Sequence, residues 1–241
     1  MPIDNVLLSA LAPESHNLLV SRSTPVALPL RTVLYEANQT PTHAYFMTSG
    51  LASIVTSMPD GATAEVTFVG REGVVGAVHL LGPAEVQTDC FVQMEGTALK
   101  IALSDLRDAF ESSEEIRQRI LENVQEQMLT ISQIAACNRL HESQERLARW
   151  LLMAQDRTQS EVLSITQEFL AEMLGARRTT VTMVAGALQR SGYIEYRRGN
   201  IRILDRRKLE TAACACYQVI HRLYNCLYKD PVGVALKNGI L

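Results

Sequence analysis

The sequence lacks the features that mark membrane and secreted proteins. None of its apolar runs reaches the roughly 18 residues that a transmembrane helix needs. The opening Met1-Pro2-Ile3-Asp4 also lacks the positive charge that begins a secretory signal. We therefore expect a cytoplasmic protein that makes no contact with a membrane.

Paired cysteines are lacking as well. The cysteines are odd in number and irregularly spaced, which argues against a disulfide framework and against a paired C-x-x-C zinc motif. Two of them lie two residues apart on a predicted helix, so their side chains are expected to face different sides and to form a poor metal site. We expect unreactive thiols, no metal and no cofactor. The cysteines are Cys90, Cys137, Cys214, Cys216 and Cys226.

Excess positive charge is absent from the chain as a whole but present in one segment. The 241 residues include 23 Lys and Arg against 26 Asp and Glu, a net charge of −3. Residues 166–210 hold nine basic and five acidic side chains, a net charge of +4, which leaves −7 for the remainder. Only this segment is suited to bind a phosphate backbone.

Two patterns precede the basic segment. From Arg31 to about Leu103, short runs of β-branched and apolar residues are punctuated by glycine, which predicts an antiparallel β-roll. From Glu114 to Leu140 there is no proline or glycine, and one apolar stripe predicts a single long helix. We interpret this stripe as a dimer interface, and the alternative is that it packs on the chain's own β domain. Its residues are Ile116, Ile120, Val124, Met128 and Ile131.

The basic segment itself is predicted to form two short helices followed by a hairpin. Thr166 is a predicted N-cap of the first helix, and Gly175 is placed to end it in the left-handed conformation. Residues 177–191 form the second helix, and residues 193–204 form two strands about a Gly199-Asn200 turn. Together these elements predict a winged helix-turn-helix.

The succession of roll, long helix, helix-turn-helix and wing resembles the Crp/Fnr family, the cyclic-AMP receptor and fumarate-nitrate-reduction regulators of bacteria. The resemblance covers nearly the whole chain. It implies an α+β fold with an N-terminal antiparallel β-roll of the cyclic-nucleotide-binding type, a long dimerisation helix and a C-terminal winged helix-turn-helix. The implied boundaries are 1–110 for the sensor, 111–143 for the dimerisation helix, 144–218 for the DNA-binding domain and 219–241 for a partly helical tail.

The resemblance assigns roles in DNA binding. Arg178 falls where the family places an arginine that reads guanine through O6 and N7. Thr179 and Met183 replace a glutamate and a second arginine of the receptor protein, so the DNA half-site should differ. Arginines of the wing are expected to contact phosphates. The predicted DNA-binding residues are Arg177, Arg178, Thr179, Thr182, Met183, Arg197 and Arg198.

The sensor departs from the cyclic-nucleotide pattern. Residues 70–79 resemble the family's phosphate-binding cassette, but the positions of its ribose-binding glutamate and phosphate-binding arginine hold Ala77 and Thr88. Asp89 would moreover repel a phosphate. We therefore expect an effector other than cyclic AMP bound in the usual mode. The candidate pocket comprises Arg71, Gly73, Gly76, Ala77, Thr88 and Asp89.

These observations predict a sequence-specific transcription regulator, not an enzyme, that binds double-stranded DNA as a homodimer on a roughly palindromic operator. RNA polymerase is a further candidate partner, and the effector small molecule is unidentified. One alternative is a constitutive or protein-regulated DNA-binding factor with a purely structural roll. Another is a cupin-like metal enzyme, for which the roll offers only His43 and His79. Haem would need His79 or Cys90 as its axial ligand, and the N-terminal cysteines of an iron–sulfur cluster are lacking.

Overall fold

The computed structural model describes residues 4–59, 61–82 and 85–229. A β-roll is followed by one long helix and then by a small winged-helix domain, which confirms the predicted α+β fold. Residues 230–241 of the predicted tail lie outside the described residues. Within the described ranges, no helix combines the length and apolarity needed to cross a bilayer.

The roll consists of two four-stranded antiparallel sheets. Its strands are β1 (Ser23–Leu28), β2 (Val33–Tyr35), β3 (His43–Met47), β4 (Leu51–Ser57), β5 (Thr63–Val69), β6 (Val74–Val75), β7 (Thr88–Met94) and β8 (Gly96–Ala102). One sheet has the order β1-β8-β3-β6 and the other the order β2-β7-β4-β5. Alternate side chains point inward, as expected for strands with one buried face. Those of Leu34, Tyr35, Met47, Cys90 and Val92 pack together in the interior.

Short helices close the roll on both sides. α1 (Val6–Ser9) and α2 (Pro13–Ser21) precede it, a 3-10 helix spans Ala77–Leu80, and α3 (Leu103–Ser112) follows it. The buried side chain of Asn5 caps α1 by accepting from Leu8 N at 2.9 Å. Its amide nitrogen donates to the carbonyls of Met47 and Gly73, so one side chain attaches the N-terminal segment to the roll.

The long helix α4 spans Glu114–Leu140. Ser113 is its N-cap and accepts a hydrogen bond from Ile116 N, while two glutamates in the first turn complement the helix dipole. Apolar side chains on one side of its N-terminal half enter the core that α1, α2 and the roll share. The long helix predicted from residue pattern is therefore confirmed.

The predicted dimer stripe on α4 needs a correction. Ile116 and Ile120 are fully buried within their own chain, so the expectation that they contact a second copy is wrong. Val124 is half-buried against the same core, whereas Met128 and Ile131 are exposed. The first part of the stripe therefore anchors α4 to the roll, whereas its last two residues lie on an exposed part of the helix.

The C-terminal domain begins with α5 (Ser143–Thr158). It continues with β9 (Val162–Ser164), α6 (Gln167–Leu174), α7 (Arg178–Arg190), β10 (Ile194–Arg197), β11 (Asn200–Ile203), α8 (Arg206–Ala212) and α9 (Cys216–Cys226). The three strands form an antiparallel sheet in the order β10-β11-β9. Trp150, Phe169, Val181 and Leu188 are buried in a core that also reaches Phe68 of β5.

Helix α9 packs on α4 and brings three cysteines together. Cys214 precedes α9 and Cys216 is the first residue of α9. The two cysteines therefore do not both lie on one helix, contrary to the prediction. Their sulfur atoms approach Cys137 and the ring of His141 at the end of α4. The expectation that Cys214 and Cys216 face different sides is wrong because the backbone changes direction between α8 and α9.

A buried arginine joins the roll, the long helix and the DNA-binding domain. Arg157 in α5 is 2% exposed. Its Nε donates to Glu72 at 2.9 Å, and its Nη2 donates to Glu126 of α4 at 3.4 Å. The guanidinium also lies over the rings of Phe68 and Tyr224, at 5.1 and 5.3 Å from their centroids. Burial by itself lowers the pKa of Arg157, but the two carboxylates hold it above its ordinary value.

The backbone at Gly70 makes room for this arginine. A Cβ atom added to Gly70 would lie 2.7 Å from the Cβ of Arg157, closer than such atoms approach. The hydroxyl of Tyr228 donates to the carbonyl of Glu72 at 2.7 Å, which holds the same loop from the other side. The start of the cassette is thus fixed by contacts with the C-terminal half of the chain.

A second buried contact crosses between the roll and α5. The indole Nε1 of Trp150 donates to Glu65 Oε1 at 2.6 Å, and the hydroxyl of Ser53 donates to Glu65 Oε2 at 2.6 Å. Burial raises the pKa of Glu65 to about 7, and the two hydrogen bonds only partly oppose it. A carboxyl group therefore lies between the domains with a pKa near neutrality.

Replacing Arg157 with methionine should destabilise the protein strongly. The change leaves Glu72 and Glu126 buried without their cation, a situation that costs about 3–5 kcal/mol. Urea unfolding of the two proteins measures the difference. The control is Asp4→Asn, which removes a surface ion pair with Arg71 and should cost less than about 1 kcal/mol. Equal losses in the two variants would contradict the role given to Arg157.

Glu65→Gln should flatten the dependence of stability on pH. Because the pKa of Glu65 is raised on folding, its contribution is complete below about pH 4.5 and is lost as the pH rises through about 7. The wild type should therefore lose on the order of 3 kcal/mol relative to the variant between pH 5 and 8.5. Chemical unfolding of both proteins across this range measures the difference. Parallel curves would show that Glu65 titrates normally.

Candidate nucleic-acid interface

The first helix of the helix-turn-helix begins and ends as its sequence predicts. Thr166 Oγ1 accepts a hydrogen bond from Phe169 N at 3.2 Å and caps α6. Gly175 ends α6 with φ +57°, a left-handed conformation that favours glycine. Since only Ala176 and Arg177 then separate the two helices, α7 starts immediately beside α6.

Helix α7 has one buried and one exposed face. Its buried side chains pack against α5 and α6. The opposite face is open to solvent: Thr179 and Thr182 are exposed, and Met183 is 64% exposed. The buried side chains are Val181, Val184, Ala185 and Leu188. A face of this kind is what a helix needs to enter a DNA groove.

The N-terminus of α7 carries positive charge and no side-chain cap. Arg177 occupies the N-cap position with extended backbone, and its side chain makes no capping hydrogen bond. The first turn contains no acidic residue. The first backbone N–H groups of α7 and the exposed arginines beside them therefore favour an anion such as a DNA phosphate.

The wing is a tight hairpin whose turn differs by one residue from the predicted one. The turn residues are Arg198 and Gly199, with φ +49° and +78°, whereas Asn200 already belongs to β11. Two consecutive positive φ angles are typical of the turns that match the twist of a hairpin. The turn projects the side chain of Arg198 from the tip, and Arg197 is exposed just before it.

The fold brings the recognition helix and the wing to one groove. Arg178 from α7 and Arg198 from the wing both line it, together with Thr166 and Gln167 from the start of α6. Tyr196 contributes its ring, and burial raises the pKa of its hydroxyl while the charge of Arg178 partly opposes the shift. The full lining is Thr166, Gln167, Arg178, Tyr196, Arg198 and Gly199.

The sequence did not predict two residues of the groove lining, Gln167 and Tyr196. Gln167 lies at the start of α6, where Thr182 Oγ1 approaches its Oε1 at 3.4 Å. Tyr196 lies on the wing, half-buried between the exposed residues Glu195 and Arg197. The position directly after an N-cap gave a weak signal for Gln167, which is half-buried. No local signal distinguishes Tyr196 from a strand residue that packs on the core.

The candidate effector residues of the roll are engaged in internal contacts. Arg71 Nη2 lies 2.6 Å from Asp4 Oδ1. Gly73 packs so closely on α4 that an added Cβ would lie 2.8 Å from Asn123 Nδ2. Gly76 has φ +95° and starts the 3-10 helix in which Ala77 is buried. The one arginine of the cassette is therefore paired to a carboxylate.

The polar residues opposite the cassette are also paired. Asp89 Oδ1 accepts a hydrogen bond from Ala37 N at 2.8 Å, and the hydroxyls of Thr88 and Tyr35 lie 3.4 Å apart. Asp89 places a carboxylate where a bound phosphate would need a cation. That cyclic AMP is not bound in the usual mode stays a prediction.

The two histidines proposed for a metal enzyme do not form a cluster. His79 is buried edge-on against Tyr35, and burial lowers its pKa. The ring of His43 lies 2.8 Å from the hydroxyl of Thr42 on the surface. Among the described residues, the one group of three or more metal-ligating side chains contains neither histidine.

Comparison with known protein families agrees with this arrangement. The cyclic nucleotide-binding domain family matches residues 25–113, and the Crp-like helix-turn-helix domain family matches residues 145–212. No curated protein is similar enough in sequence to count as a relative.

Solved structures share the fold at low sequence identity. FixK2 from Bradyrhizobium japonicum superposes with a TM-score of 0.68 at 15% identity, over 80% of this chain and 98% of that chain. A Crp/Fnr-family transcriptional regulator from Eubacterium rectale gives 0.66 at 17% identity, over 86% and 96%. A CRP-family regulator from Thermus thermophilus gives 0.64 at 22% identity, over 79% and 96%.

A cyclic nucleotide-binding domain joined by a long helix to a Crp-like helix-turn-helix defines a class of transcription regulators. The chain belongs to the Crp/Fnr family of that class, and it carries the helix-turn-helix DNA-binding domain of the family.

Proposed function

We propose that the protein is a cytoplasmic homodimer that regulates transcription by binding a roughly palindromic operator. The observation that carries the proposal is the groove in which Arg178 of the recognition helix and Arg198 of the wing tip lie together. In a winged helix-turn-helix, the first of these positions enters the major groove and the second lies along the backbone. In this proposal residues 1–110 sense, 111–143 dimerise and 144–218 bind DNA.

Each candidate contact has its own role in the proposal. Arg178 reads a guanine through its planar guanidinium, and Thr179, Thr182 and Met183 face neighbouring base edges. Met183 offers an apolar contact suited to a thymine methyl group. The remaining arginines hold phosphates and fix the register on the duplex. They are Arg177, Arg197 and Arg198.

The exposed face of α4 supplies the proposed dimer interface. Leu121, Met128 and Ala135 recur at seven-residue spacing, and Gln125 and Ser132 alternate with them at the four-three spacing of a coiled coil. Leu121 and Met128 are 44% and 59% exposed, so the seam presents neighbouring large apolar side chains to solvent.

Val124 and Ile131 flank this seam, whereas Ile116 and Ile120 face the chain's own core. In the proposed dimer, each recognition helix therefore faces one half of the operator.

The effector and the partners complete the proposal. A small molecule other than cyclic AMP is the proposed effector, RNA polymerase is a further partner, and catalysis plays no part. A constitutive or protein-regulated factor is the second candidate function. It is favoured by the buried apolar side chains that pack together inside the roll, including Met47, Ala52 and Val92.

Arg178→Ala and Arg198→Ala should have different effects on DNA binding. The operator is first selected from a random pool of duplexes. Arg178→Ala should then cost about 1–3 kcal/mol on that operator and relax preference at one symmetric pair of positions. Arg198→Ala should weaken specific and random DNA alike and reduce the salt dependence by about one counterion per lost contact.

The control for lost charge is Arg22→Ala, an exposed arginine next to the roll and far along the chain from the helix-turn-helix. It should leave both affinities unchanged. If Arg178→Ala weakens operator and random DNA equally, Arg178 is not the residue that reads sequence. Failure to select any duplex would contradict the proposed function itself.

Leu121→Lys combined with Met128→Lys should convert the dimer into monomers. The substitutions place like charges face to face along a coiled-coil seam. Sedimentation velocity measures the change. Leu140→Lys is the matched control, because Leu140 is 74% exposed on the same helix but off the seam. A dimer that survives the double substitution would place the interface elsewhere.

A further inference from the structure

Four metal-ligating side chains meet where α4 ends and α9 begins. Cys137 and His141 are one helical turn apart at the end of α4, and Cys214 and Cys216 come from the start of α9. Their ligand atoms all lie within 4.8 Å of one another. The three sulfur-bearing side chains are buried, and the histidine is half-buried. From this geometry we infer a binding site for a single divalent zinc ion with Cys₃His ligation.

The distances fit one tetrahedral ion. With Zn–S bonds of about 2.3 Å and a Zn–N bond of about 2.0 Å, tetrahedral ligands lie about 3.8 Å apart between sulfurs and about 3.5 Å apart between sulfur and nitrogen. The Sγ atoms of Cys137 and Cys214 are 3.4 Å apart, and Cys216 Sγ lies 3.6 Å from His141 Nδ1.

An iron–sulfur cluster contains several metal atoms and would spread its four ligands more widely than this group allows. Three thiolates and one imidazole are also a common ligand set of structural zinc sites. Zinc therefore fits both the spacing and the chemistry of the group.

The surroundings provide the partners that a thiolate site needs. Gln133 Nε2 donates to Cys216 Sγ at 3.1 Å, an outer-shell hydrogen bond of the kind that orients a ligand. Arg149 of α5 is 3% exposed and lies within electrostatic reach of Cys137.

The Nε atom of Arg149 has no hydrogen-bond partner among the described residues, and the same is true of Arg146 Nε. A buried, incompletely paired cation is costly unless an anion lies nearby. Zinc bound by three thiolates and a neutral histidine carries a net charge of −1. The metal site would therefore place a negative charge near these two arginines of α5, in addition to Glu65, which already interacts electrostatically with Arg149.

Binding would fasten two distant parts of the chain. Each of the three thiols releases its proton to solvent as its sulfur binds the ion, and no electron is transferred. The ion then ties the end of α4 to the helix that follows the winged domain. Since α4 and α5 meet at residues 141–142, this tie holds the DNA-binding domain in place on the long helix.

Metal content of the purified, reduced full-length protein tests the site. We expect one equivalent of zinc per chain, removed by a strong chelator at low pH and restored by added zinc. Cobalt(II) added to the apoprotein should give the visible bands of tetrahedral cobalt and the near-ultraviolet charge-transfer band of cobalt thiolates. Zinc should also raise the melting temperature of the apoprotein.

Three variants make the test specific to these ligands. Cys214→Ser should abolish stoichiometric binding, whereas Cys226→Ser, an exposed thiol on the same α9, should leave it intact. His141→Cys should retain the ion and strengthen the thiolate charge-transfer band, because it supplies a fourth sulfur. Gln133→Ala should weaken zinc affinity about 10- to 100-fold through the lost outer-shell bond.

The His141→Cys variant keeps the test decisive if Cys214→Ser fails to fold, since it changes the ligand without removing it. Three results would overturn the inference. They are reduced protein that binds neither zinc nor cobalt, iron with acid-labile sulfide at this site, and a Cys137–Cys214 disulfide in protein isolated without oxygen. None of these depends on DNA binding, so the proposed function is tested separately.

Discussion

The position of the DNA-binding domain depends on how one buried positive charge is neutralised. Arg157 cannot lie 2% exposed unless carboxylates accompany it, and those carboxylates come from the cassette loop and from the long helix. Glu72 and Glu126 would in turn be costly to bury without it. Three segments far apart in sequence therefore hold their relative positions through one charge balance.

This constraint indicates how a signal in the roll could reach the DNA-binding domain. Glu72 lies next to Arg71 and Gly73 in the cassette, and Gly73 packs on Asn123 of α4. A ligand shifts an equilibrium only if it binds two arrangements with different affinity. A ligand that moves this loop changes the position of Glu72 and so the partner of Arg157. Such a coupling would depend on the position of the Glu72 carboxylate and would not require a cyclic phosphate.

The sequence predicts the elements that local rules determine and misses those that depend on distant partners. Thr166, Gly175 and the basic wing follow from capping, turn chemistry and charge, so the helix-turn-helix was predictable. The dimer prediction was wrong for Ile116 and Ile120 because spacing identifies an apolar face of α4 without saying what covers it. Arg157 looked like an ordinary residue near a helix end, since Glu72 lies 85 positions away.

The cluster of three cysteines and one histidine was not predicted, for the same reason. Cys137 and Cys214 are 77 residues apart, and no short motif joins them. The spacing rules for zinc sites look for pairs of ligands a few residues apart. Such pairs occur in small zinc modules but not in a site that forms where two helices pack together. The C-x-C pair read alone gives two poorly placed ligands, and the fold supplies the other two.

Helix α5 connects these observations because charged side chains make internal contacts in its first half and at its end. In its first half, Arg146 and Arg149 lie near the cysteine cluster. At its end, Arg157 forms ion pairs with the two glutamates. The helix is 16 residues long, or about 24 Å, and its middle carries Trp150 against Glu65 and Phe169. Because α6 and α7 pack on this helix, the helix that supports the recognition helix is itself held by contacts of charged side chains in its first half and at its end.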